Sequence, residues 1–392
     1  MTIMRLVIKT IHYLNYLLSE LAYQYSNHLN KKAKSPNDLT KAIFWLEKSA
    51  AYSNPKACYA LVIQYEQKQC SFNDTANTDQ KNEAAVEKKA QYTRLIADLI
   101  VSAAEAGYAD AQFKLGCYYW VGSQTFPVDI ELAHDWFTLA ARQLHPKALC
   151  NLGVIYNRGD LNNKKDYKKA YDYFIAAKTM GDSYALCNLG RMYALGNYVK
   201  RNFTSAFNYY REAADKGSID GIYEVANCYE KGKGVKHSYE QALSYFKLAS
   251  AEGMVAAKLK VADYYIYGQG VKRSPIKAEY ILKSVAETGD SYAQFKLATF
   301  YDSTDSNLQD VNKAFNWYLK AAQNGHTKAQ INLAALYLKG EGTIASESTA
   351  IFWLESAAQN GDQIARYNLQ QLGLVNLEAI IKESLGRSDV IH

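Results

Sequence analysis

The sequence lacks an apolar run of the length that a membrane-spanning helix requires. Such a helix needs ~18 or more largely apolar residues in succession. The N-terminal stretch MTIMRLVIKTIHYLNYLLSE is shorter than this in its apolar part and is interrupted by Lys9, Thr10 and His12. It also lacks the Ala-x-Ala site that ends a signal peptide. We therefore predict neither a transmembrane segment nor a signal peptide, and we interpret this stretch as a capping helix.

Motifs of the common enzyme classes are missing as well. There is no Gly-x-Ser-x-Gly, no His-Glu-x-x-His and no phosphate-binding loop ending in Gly-Lys-Ser/Thr. The seven histidines are scattered along the chain without a common partner. No pair of cysteines or histidines has the close spacing that zinc sites use. These absences predict a protein that is not an enzyme and that holds no metal or cofactor.

Charge of one sign is not in large excess. The 45 basic and 39 acidic residues give a formal net charge of +6, which is mild for this length. No basic stripe with interleaved aromatic residues, the pattern of many nucleic-acid-binding proteins, is evident. We therefore expect no nucleic-acid partner.

What the chain does have is a repeat with a nearly constant period. Small residues open successive segments of 37 or 36 residues, at Ala111, Ala148, Ala185, Gly221, Ala257, Ala293, Ala329 and Ala365. A period in this range, sustained along a chain, is typical of an array of stacked repeats and not of a single globular core.

Each segment predicts two helices. Counted from the opening residue, positions one, five, eight, nine and twelve share one face of a helix, and position nine is tyrosine in every segment from Tyr119 to Tyr337. Position six is only Gly or Ala, as at Gly153, which predicts that another backbone passes close by. Glycine ends the first helix, and the second helix carries an Ala-x-x-aromatic pattern such as Ala170 and Tyr173.

Together these positions resemble the Sel1-like repeat family, a relative of the tetratricopeptide repeat. The resemblance covers roughly residues 14 to 372. It implies an all-α fold, a right-handed α/α superhelical solenoid of about nine helix-turn-helix repeats. The segments depart from the family pattern at Leu144, which stands where glycine ends the second helix, and at Ile281, which replaces the second-helix aromatic residue.

The six cysteines indicate a reducing compartment. Cys150 and Cys187 occupy position three of successive segments, so their separation should be about one helix-packing distance, roughly 9–10 Å, whereas a disulfide needs Cα atoms within about 7 Å. Some secreted members of the family join the two helices of each repeat by disulfides, and that pattern is absent from Ala111 onward. We therefore predict a cytoplasmic protein, with a translocated effector as the alternative.

The repeat positions also predict the domain organisation. We expect an N-terminal cap helix and degenerate first repeat over residues 1–56. A repeat with a polar surface loop at about 66–83 should follow over 57–110, and seven regular repeats over 111–365. Leu369, Leu372 and Ile380 belong to a pattern that predicts a C-terminal capping helix and tail over 366–392.

A partner is expected on the first helices, which line the concave side of the solenoid in this family. Positions four and seven lie on a stripe of the first helix away from the buried face. Their side chains can hydrogen-bond a peptide backbone or a carboxylate, and the alternative is that they are simply solvated. We call the predicted set the polar strip; its residues are Asn151, Asn188, Arg191, Glu224, Asn227, Lys260 and Asp263.

These expectations favour a non-catalytic scaffold or adaptor that binds a peptide or protein. Three alternatives remain open: a secreted bacterial effector that binds a host protein, a regulatory subunit that activates a partner enzyme, and an enzyme whose site is assembled from residues distant in the sequence. The abundance of Asn, Lys and Tyr is compatible with an AT-rich bacterium. The sequence identifies neither the partner nor the oligomeric state.

Overall fold

A computed structural model of the chain describes residues 2–32, 36–75, 83–123, 125–303 and 308–372. These residues form nineteen α-helices and contain no strand, which confirms the predicted all-α class. The chain comprises two compact units, Met1–Lys216 and Gly217–His392.

The helices follow one another as antiparallel pairs, and each helix packs against the next within its unit. In the first unit they are α1 (Thr2–Lys32), α2 (Pro36–Ala51), α3 (Pro55–Thr75), α4 (Glu83–Glu105), α5 (Ala109–Val121), α6 (Ile130–Arg142), α7 (Pro146–Arg158), α8 (Tyr167–Thr179), α9 (Ser183–Leu195) and α10 (Phe203–Asp215). In the second unit they are α11 (Ile219–Lys231), α12 (Tyr239–Ala251), α13 (Val255–Tyr267), α14 (Pro275–Ala286), α15 (Ser291–Asp302), α16 (Val311–Gln323), α17 (Thr327–Lys339), α18 (Glu347–Gln359) and α19 (Gln363–Gln371). Odd-numbered helices are the first helices of their pairs, and even-numbered helices are the second.

The tyrosine at position nine ties the two helices of a pair together. In three successive pairs its ring stacks on the aromatic residue of the second helix, as Tyr156 does on Tyr173 with centroids 5.7 Å apart. Its carbonyl accepts a hydrogen bond from the backbone amide of the residue that caps the second helix, at 2.9 Å from Asp166. The same bond recurs in each pair from α5–α6 to α17–α18. The invariant tyrosine is therefore a packing residue that also fixes where the second helix begins.

Position six is small because an aromatic ring lies against it. A Cβ built on Gly153 would be 2.5 Å from Cε1 and 2.7 Å from Cδ1 of Phe174 on the second helix of the same pair. Phe174 is fully buried, so it has little room to move. The prediction of a packing constraint is confirmed at this position, but the expected neighbouring backbone is wrong, since the nearest atoms belong to a side chain.

The predicted polar loop at 66–83 is wrong for residues 66–75, which continue helix α3 to Thr75. In six of the seven later segments a glycine at position twelve ends the first helix, whereas the corresponding residue here is Lys68. Lysine and glutamine are good helix formers, so without the glycine stop the helix continues. Residues 76–82 lie outside the described residues, and α4 begins at Glu83.

The two ends of the chain extend the array. The expected N-terminal cap and the first helix of the first pair form one continuous helix, α1. Ser26 Oγ donates to the carbonyl of Ala42 at 2.9 Å, and Ser49 Oγ donates to the carbonyl of Ser19 at 2.6 Å, so α1 and α2 are joined by buried hydrogen bonds. Of the predicted C-terminal cap, α19 is described, and residues 373–392 lie outside the described residues.

Leu144 shows the cost of losing a glycine after the second helix. It takes a positive φ of 61°, in the region where the equivalent Gly107 and Gly181 have φ of 87° and 89°. A side chain in this conformation costs roughly 1–2 kcal/mol, and Leu144 is 60% exposed, so its burial offsets little of this. We expect Leu144→Gly to stabilise the protein by about 1 kcal/mol after the greater entropy of glycine in the unfolded chain is included. Thermal unfolding measures this change. If Leu144→Ala were as stable as Leu144→Gly, the explanation by positive φ would be contradicted, because alanine also carries a Cβ.

A histidine cap makes the second unit sensitive to acid. Nδ1 of His326 accepts from the backbone amide of Ala329 at 3.2 Å, and the ring stacks on Phe295 with centroids 4.4 Å apart. Burial lowers the pKa of His326 below its ordinary value of 6.5, because removal from water disfavours the charged ring, and the nearby charge of Lys328 acts in the same direction. The unfolded chain therefore binds the proton first, and this contribution to stability is present above pH 6.5 and lost as pH falls through the folded pKa.

We expect His326→Asn, a strong cap that does not titrate, to reduce the loss of stability between pH 7 and pH 5 by up to about 1 kcal/mol. Urea unfolding at a series of pH values measures this loss. An unchanged pH dependence in the variant would contradict the role of His326.

Candidate functional site

The polar strip belongs to a larger set of contacts between successive first helices. In the first unit, Lys114 at position four of α5 forms an ion pair with Glu66 of α3, with Nζ and Oε2 2.8 Å apart. Asn151 at the same position of α7 lies with Nδ2 3.9 Å from Sγ of Cys117 on α5. Nδ2 of Asn188 on α9 lies 3.7 Å from Sγ of Cys150 on α7. Position four thus contacts the preceding first helix in each of these three cases.

The second unit has stronger versions of these contacts. Lys260 of α13 donates to both carboxylate oxygens of Glu230 on α11, at 2.9 and 3.1 Å, and Tyr264 donates to the same carboxylate at 3.2 Å. Lys296 of α15 donates to both oxygens of Asp263 on α13, at 2.6 and 2.7 Å. These ion pairs are half-buried, with 15–33% of each side chain exposed.

A third link in the second unit runs through a tyrosine of a second helix. Asn332 of α17 donates to the hydroxyl of Tyr318, which donates to Asp302 of α15 at 3.1 Å. We call the position-four contacts in the two units the inter-repeat ladder; its pairs are Lys114–Glu66, Asn151–Cys117, Asn188–Cys150, Lys260–Glu230, Lys296–Asp263 and Asn332–Tyr318–Asp302. The ladder gives position four a structural reason for being polar, because it joins one repeat to the next.

The strip residues are therefore brought together in small groups. Arg191 donates to Oδ1 of Asn188 at 3.2 Å, and Nδ2 of Asn227 donates to Glu224 at 3.2 Å. Arg191 is exposed, whereas the other six residues are half-buried. Asn151, Asn188 and Arg191 belong to the first unit, and Glu224, Asn227, Lys260 and Asp263 belong to the second. Their role in binding stays a prediction.

Two clefts flank the Asp263–Lys296 ion pair in the second unit. The larger, of about 520 Å³, lies at the C-terminal ends of α13 and α15 and is also lined by Ile266, Phe300 and Arg273. The smaller, of about 300 Å³, lies toward the N-terminal ends of the same helices, beside Tyr292 and Lys260. We call them the large cleft and the small cleft. The ion pair lines both, so polar groups and apolar walls meet along the surface between α13 and α15.

Burial disfavours the thiolate form of three cysteines on the first helices. Burial raises the pKa of the Cys117 and Cys228 thiols to about 11, and burial together with Asp182 raises the pKa of Cys150 as well. Because the thiolate is the reactive form, these thiols are inert near neutral pH. Within the part of the chain that the structure describes, Cys58, Cys117, Cys150, Cys187 and Cys228 form no disulfide, in line with the expectation for Cys150 and Cys187.

Sequence reasoning missed several residues of this surface. Glu230, Lys296, Arg273 and Tyr292 are absent from the predicted strip, although they pair with its members or line the clefts. A signal for two of them is present in the sequence. A basic residue at position four follows an acidic residue at position ten or seven of the preceding repeat, as Lys260 follows Glu230 and Lys296 follows Asp263.

No group of three or more His, Cys, Asp or Glu side chains in the described residues could hold a metal ion. None of the helices described here combines the length and apolar character needed to cross a membrane.

The chain was then compared with known proteins. The family model of the Sel1 repeat matches residues 15–51, 109–143, 146–182, 183–218, 219–254, 255–290, 291–326 and 327–362. Residues 52–108, which contain the long helices α3 and α4, lie between the first two matches. No curated protein matches the chain.

Two solved structures share the fold. A protective antigen present in uropathogenic Escherichia coli strains, which displays an SLR fold, is 28% identical with a TM-score of 0.55, over 84% of this chain and 67% of that one. A Sel1 repeat protein from Oxalobacter formigenes is 26% identical with a TM-score of 0.53, over 88% of this chain and 93% of that one. Since the matched repeats account for well over half of the residues and their helix pairs are those of the structure, the chain belongs to the Sel1 repeat family.

Proposed function

We propose that the chain is a non-catalytic scaffold or adaptor that binds a peptide or protein on the surface of its first helices. The observation that carries this proposal is the pair of clefts along α13 and α15, which combine apolar walls with charged groups. Binding sites for other molecules are typically concave, mostly apolar and equipped with a few placed polar groups. Sel1 repeat arrays generally serve as scaffolds for protein interaction.

The distribution of variable side chains supports the same surface. Positions that pack, such as the tyrosine at position nine, are the same in each repeat, whereas position seven is Arg191, Asn227 or Asp263 in successive repeats. Side chains that differ between repeats are those available for recognising a particular partner. In repeat arrays, extended surfaces of this kind are the usual binding sites.

Affinity capture from a lysate of the cells that produce the protein, followed by mass spectrometry, tests the proposal. The strip variant replaces Asn188, Arg191 and Asn227 with Ala, and a matched control replaces the exposed second-helix residues Asn208, Arg211 and Gln241 with Ala. We expect the strip variant to lose the proteins that the unmodified chain retains, and the control to keep them. The free energy of unfolding of both should change by less than about 1 kcal/mol.

The outcome separates the possible functions. Equal capture by the strip variant would reject the first-helix surface, and loss of capture in the control would move the site to the second helices. A captured enzyme whose activity rises on addition of the purified chain would identify a regulatory subunit. A captured protein without such activation supports an adaptor.

A further inference from the structure

Helix α1 exposes an apolar stripe on a side that α2 leaves largely uncovered. Another side of α1 packs against α2, where Ser19 and Ser26 are buried and hydrogen-bonded to that helix. The stripe consists of large apolar side chains that are 38–61% exposed, and we call it the α1 stripe; its residues are Leu14, Leu17, Leu18, Leu21 and Tyr25. Continuous apolar surface on a folded protein typically marks a site of association.

The later repeats bury the position that this stripe exposes. Counted back from Tyr25 at position nine, Leu21 is at position five and is 61% exposed, whereas position five is at most 5% exposed in the seven regular repeats. There it packs toward the preceding second helix, as Leu152 of α7 belongs to one apolar cluster with Phe137 of α6. A repeat that ends an array normally presents a polar outer face. The α1 stripe therefore has the character of a face that another helix covers.

The spacing of the stripe predicts a helix as its partner. Steps of three and four residues alternate in the sequence from residue 4 to residue 25, at Met4, Val7, Ile11, Leu14, Leu18, Leu21 and Tyr25. Such a period of 3.5 residues keeps one apolar seam facing a helix that runs alongside it. Helix α1 has 31 residues and is therefore nearly twice as long as α2, on which it packs and which has 16. The extra length fits an extended contact with another long helix.

We propose that two copies of this chain associate through the α1 stripe, with the two α1 helices packed along each other. None of the stripe residues carries a charge, so a partner must present an equally long stripe without charges, because an unpaired charge is costly to bury. The stripe of a second α1 meets this condition. Pairs of identical chains related by a two-fold axis are also the commonest oligomers. The inference goes beyond the proposed function, because it concerns a different surface and a different partner.

The size of the stripe is compatible with a stable pair. Taking ~200 Å² for a large apolar side chain, five that are about half exposed offer roughly 500 Å². Gln24 and His28, which are exposed on the same side of α1, enlarge this area. A stable interface buries ~800 Å² on each partner. The described side chains of α1 therefore supply most of the area that a dimer needs.

Sedimentation velocity of the full chain at a series of concentrations measures this association. We expect a species of twice the mass of one chain, which dissociates to single chains on dilution. Added salt should not weaken the pair, because salt screens charges and the buried side chains are apolar. Sedimentation with phosphatidylcholine vesicles tests a lipid surface as the alternative occupant of the stripe, and we expect the chain to stay in solution.

A matched pair of variants locates the contact. Leu14→Glu with Leu21→Glu changes the α1 stripe, and Leu132→Glu with Leu139→Glu makes the same change at the same spacing on α6, where both leucines are exposed. We expect the first variant to raise the concentration of half-dissociation at least about a hundredfold, because the pair would bury unpaired charges, and the second to change it less than about twofold. Since all four positions are exposed in the single chain, circular dichroism should show unchanged helix content in both variants.

A cross-linking measurement decides the question if the glutamates disturb folding. Leu18→Cys, within the stripe, should give a covalent dimer with a short bismaleimide beyond any that the unmodified chain gives, whereas Leu132→Cys should not. Single chains at every concentration, equal weakening in the two glutamate variants, or no additional cross-linking at Leu18→Cys would each overturn the inference. Growth to three or more chains, which indicates head-to-tail contacts, or binding of single chains to the vesicles would also overturn it.

Discussion

Replacing Gly153 with Ala is expected to destabilise the first unit by about 2 kcal/mol. The added methyl group would lie 2.5 Å from the ring of Phe174, a buried side chain that packs among Ala133, Leu152 and Ala177 in the same apolar cluster. Inserting a methyl group into a filled core typically costs 1–3 kcal/mol, because side chains or backbone must shift. Urea unfolding followed by circular dichroism measures the change, and hydrogen–deuterium exchange shows whether α7 and α8 open first.

A double-mutant cycle separates this clash from a general effect of alanine. Phe174→Leu alone should also destabilise the unit, since it removes buried apolar surface. The double variant should lose at least about 1 kcal/mol less than the sum of the two single losses, because leucine leaves room for the methyl group. At the same positions Ala262 with Leu282 and Ala334 with Leu354 combine alanine with leucine, whereas Ala226 with Phe246 and Ala298 with Tyr318 combine alanine with an aromatic residue, so in those pairs the helices already accommodate the methyl group. Strictly additive losses would contradict the direct contact.

Replacing Glu230 with Ala is expected to destabilise the second unit by about 2 kcal/mol. Its carboxylate, 15% exposed, accepts hydrogen bonds from Lys260 and from Tyr264, so the variant leaves a half-buried ammonium and a buried hydroxyl without this acceptor. Hydrogen bonds to charged groups contribute roughly 1.5–3 kcal/mol, and partial exposure places the expected loss within that range. The same urea experiment measures it.

An exposed pair in the same unit is the control for this prediction. Lys283 and Glu287 lie one turn apart on the surface, with Nζ and Oε1 3.9 Å apart and more than half of each side chain exposed. Glu287→Ala should change the free energy of unfolding by less than about 0.5 kcal/mol. If the Glu230→Ala and Glu287→Ala variants were equally stable, the Lys260–Glu230 contact would not stabilise the packing of one repeat against the next.

The local features of the fold could be predicted from the sequence because each depends on residues close in the chain. The period places the helices, and glycines with φ between 62° and 79° end α7, α9, α11, α13 and α17. Leu144 could be identified as a departure from the pattern, and the structure shows its cost as a positive φ. The loop predicted at about 66–83 is wrong for residues 66–75, because polar composition alone does not end a helix and the glycine stop is replaced by Lys68.

Features that depend on contacts between repeats could be predicted only in part. A small residue at position six is evident in the sequence, but the neighbour that requires it is not, since Phe246 packs in one cluster with Ala226 whereas Phe174 faces Gly153. Similarly, the sequence shows that position four is polar. It does not show which residue of the preceding repeat each of these side chains contacts. From the sequence, Asn188 and Lys260 are predicted to bind a partner. In the structure they contact the preceding first helix.

The first helices thus contain residues that join neighbouring repeats as well as residues predicted to bind a partner. The residues that join repeats are less available for binding. Ladder residues make hydrogen bonds or ion pairs within the protein, and the clefts beside Asp263 and Lys296 combine apolar surface with charge. We therefore expect the cleft walls to contribute to recognition together with the polar strip.

Hydrogen–deuterium exchange of the full chain, alone and with a captured partner, tests the central claim most directly. If the first helices and their loops bind the partner, amides of α13, α15 and residues 268–274 should be protected in the complex, and those of α12, α14 and α16 should exchange as in the free protein. Protection confined to the second helices would contradict the claim and place recognition on the opposite side of the helix pairs.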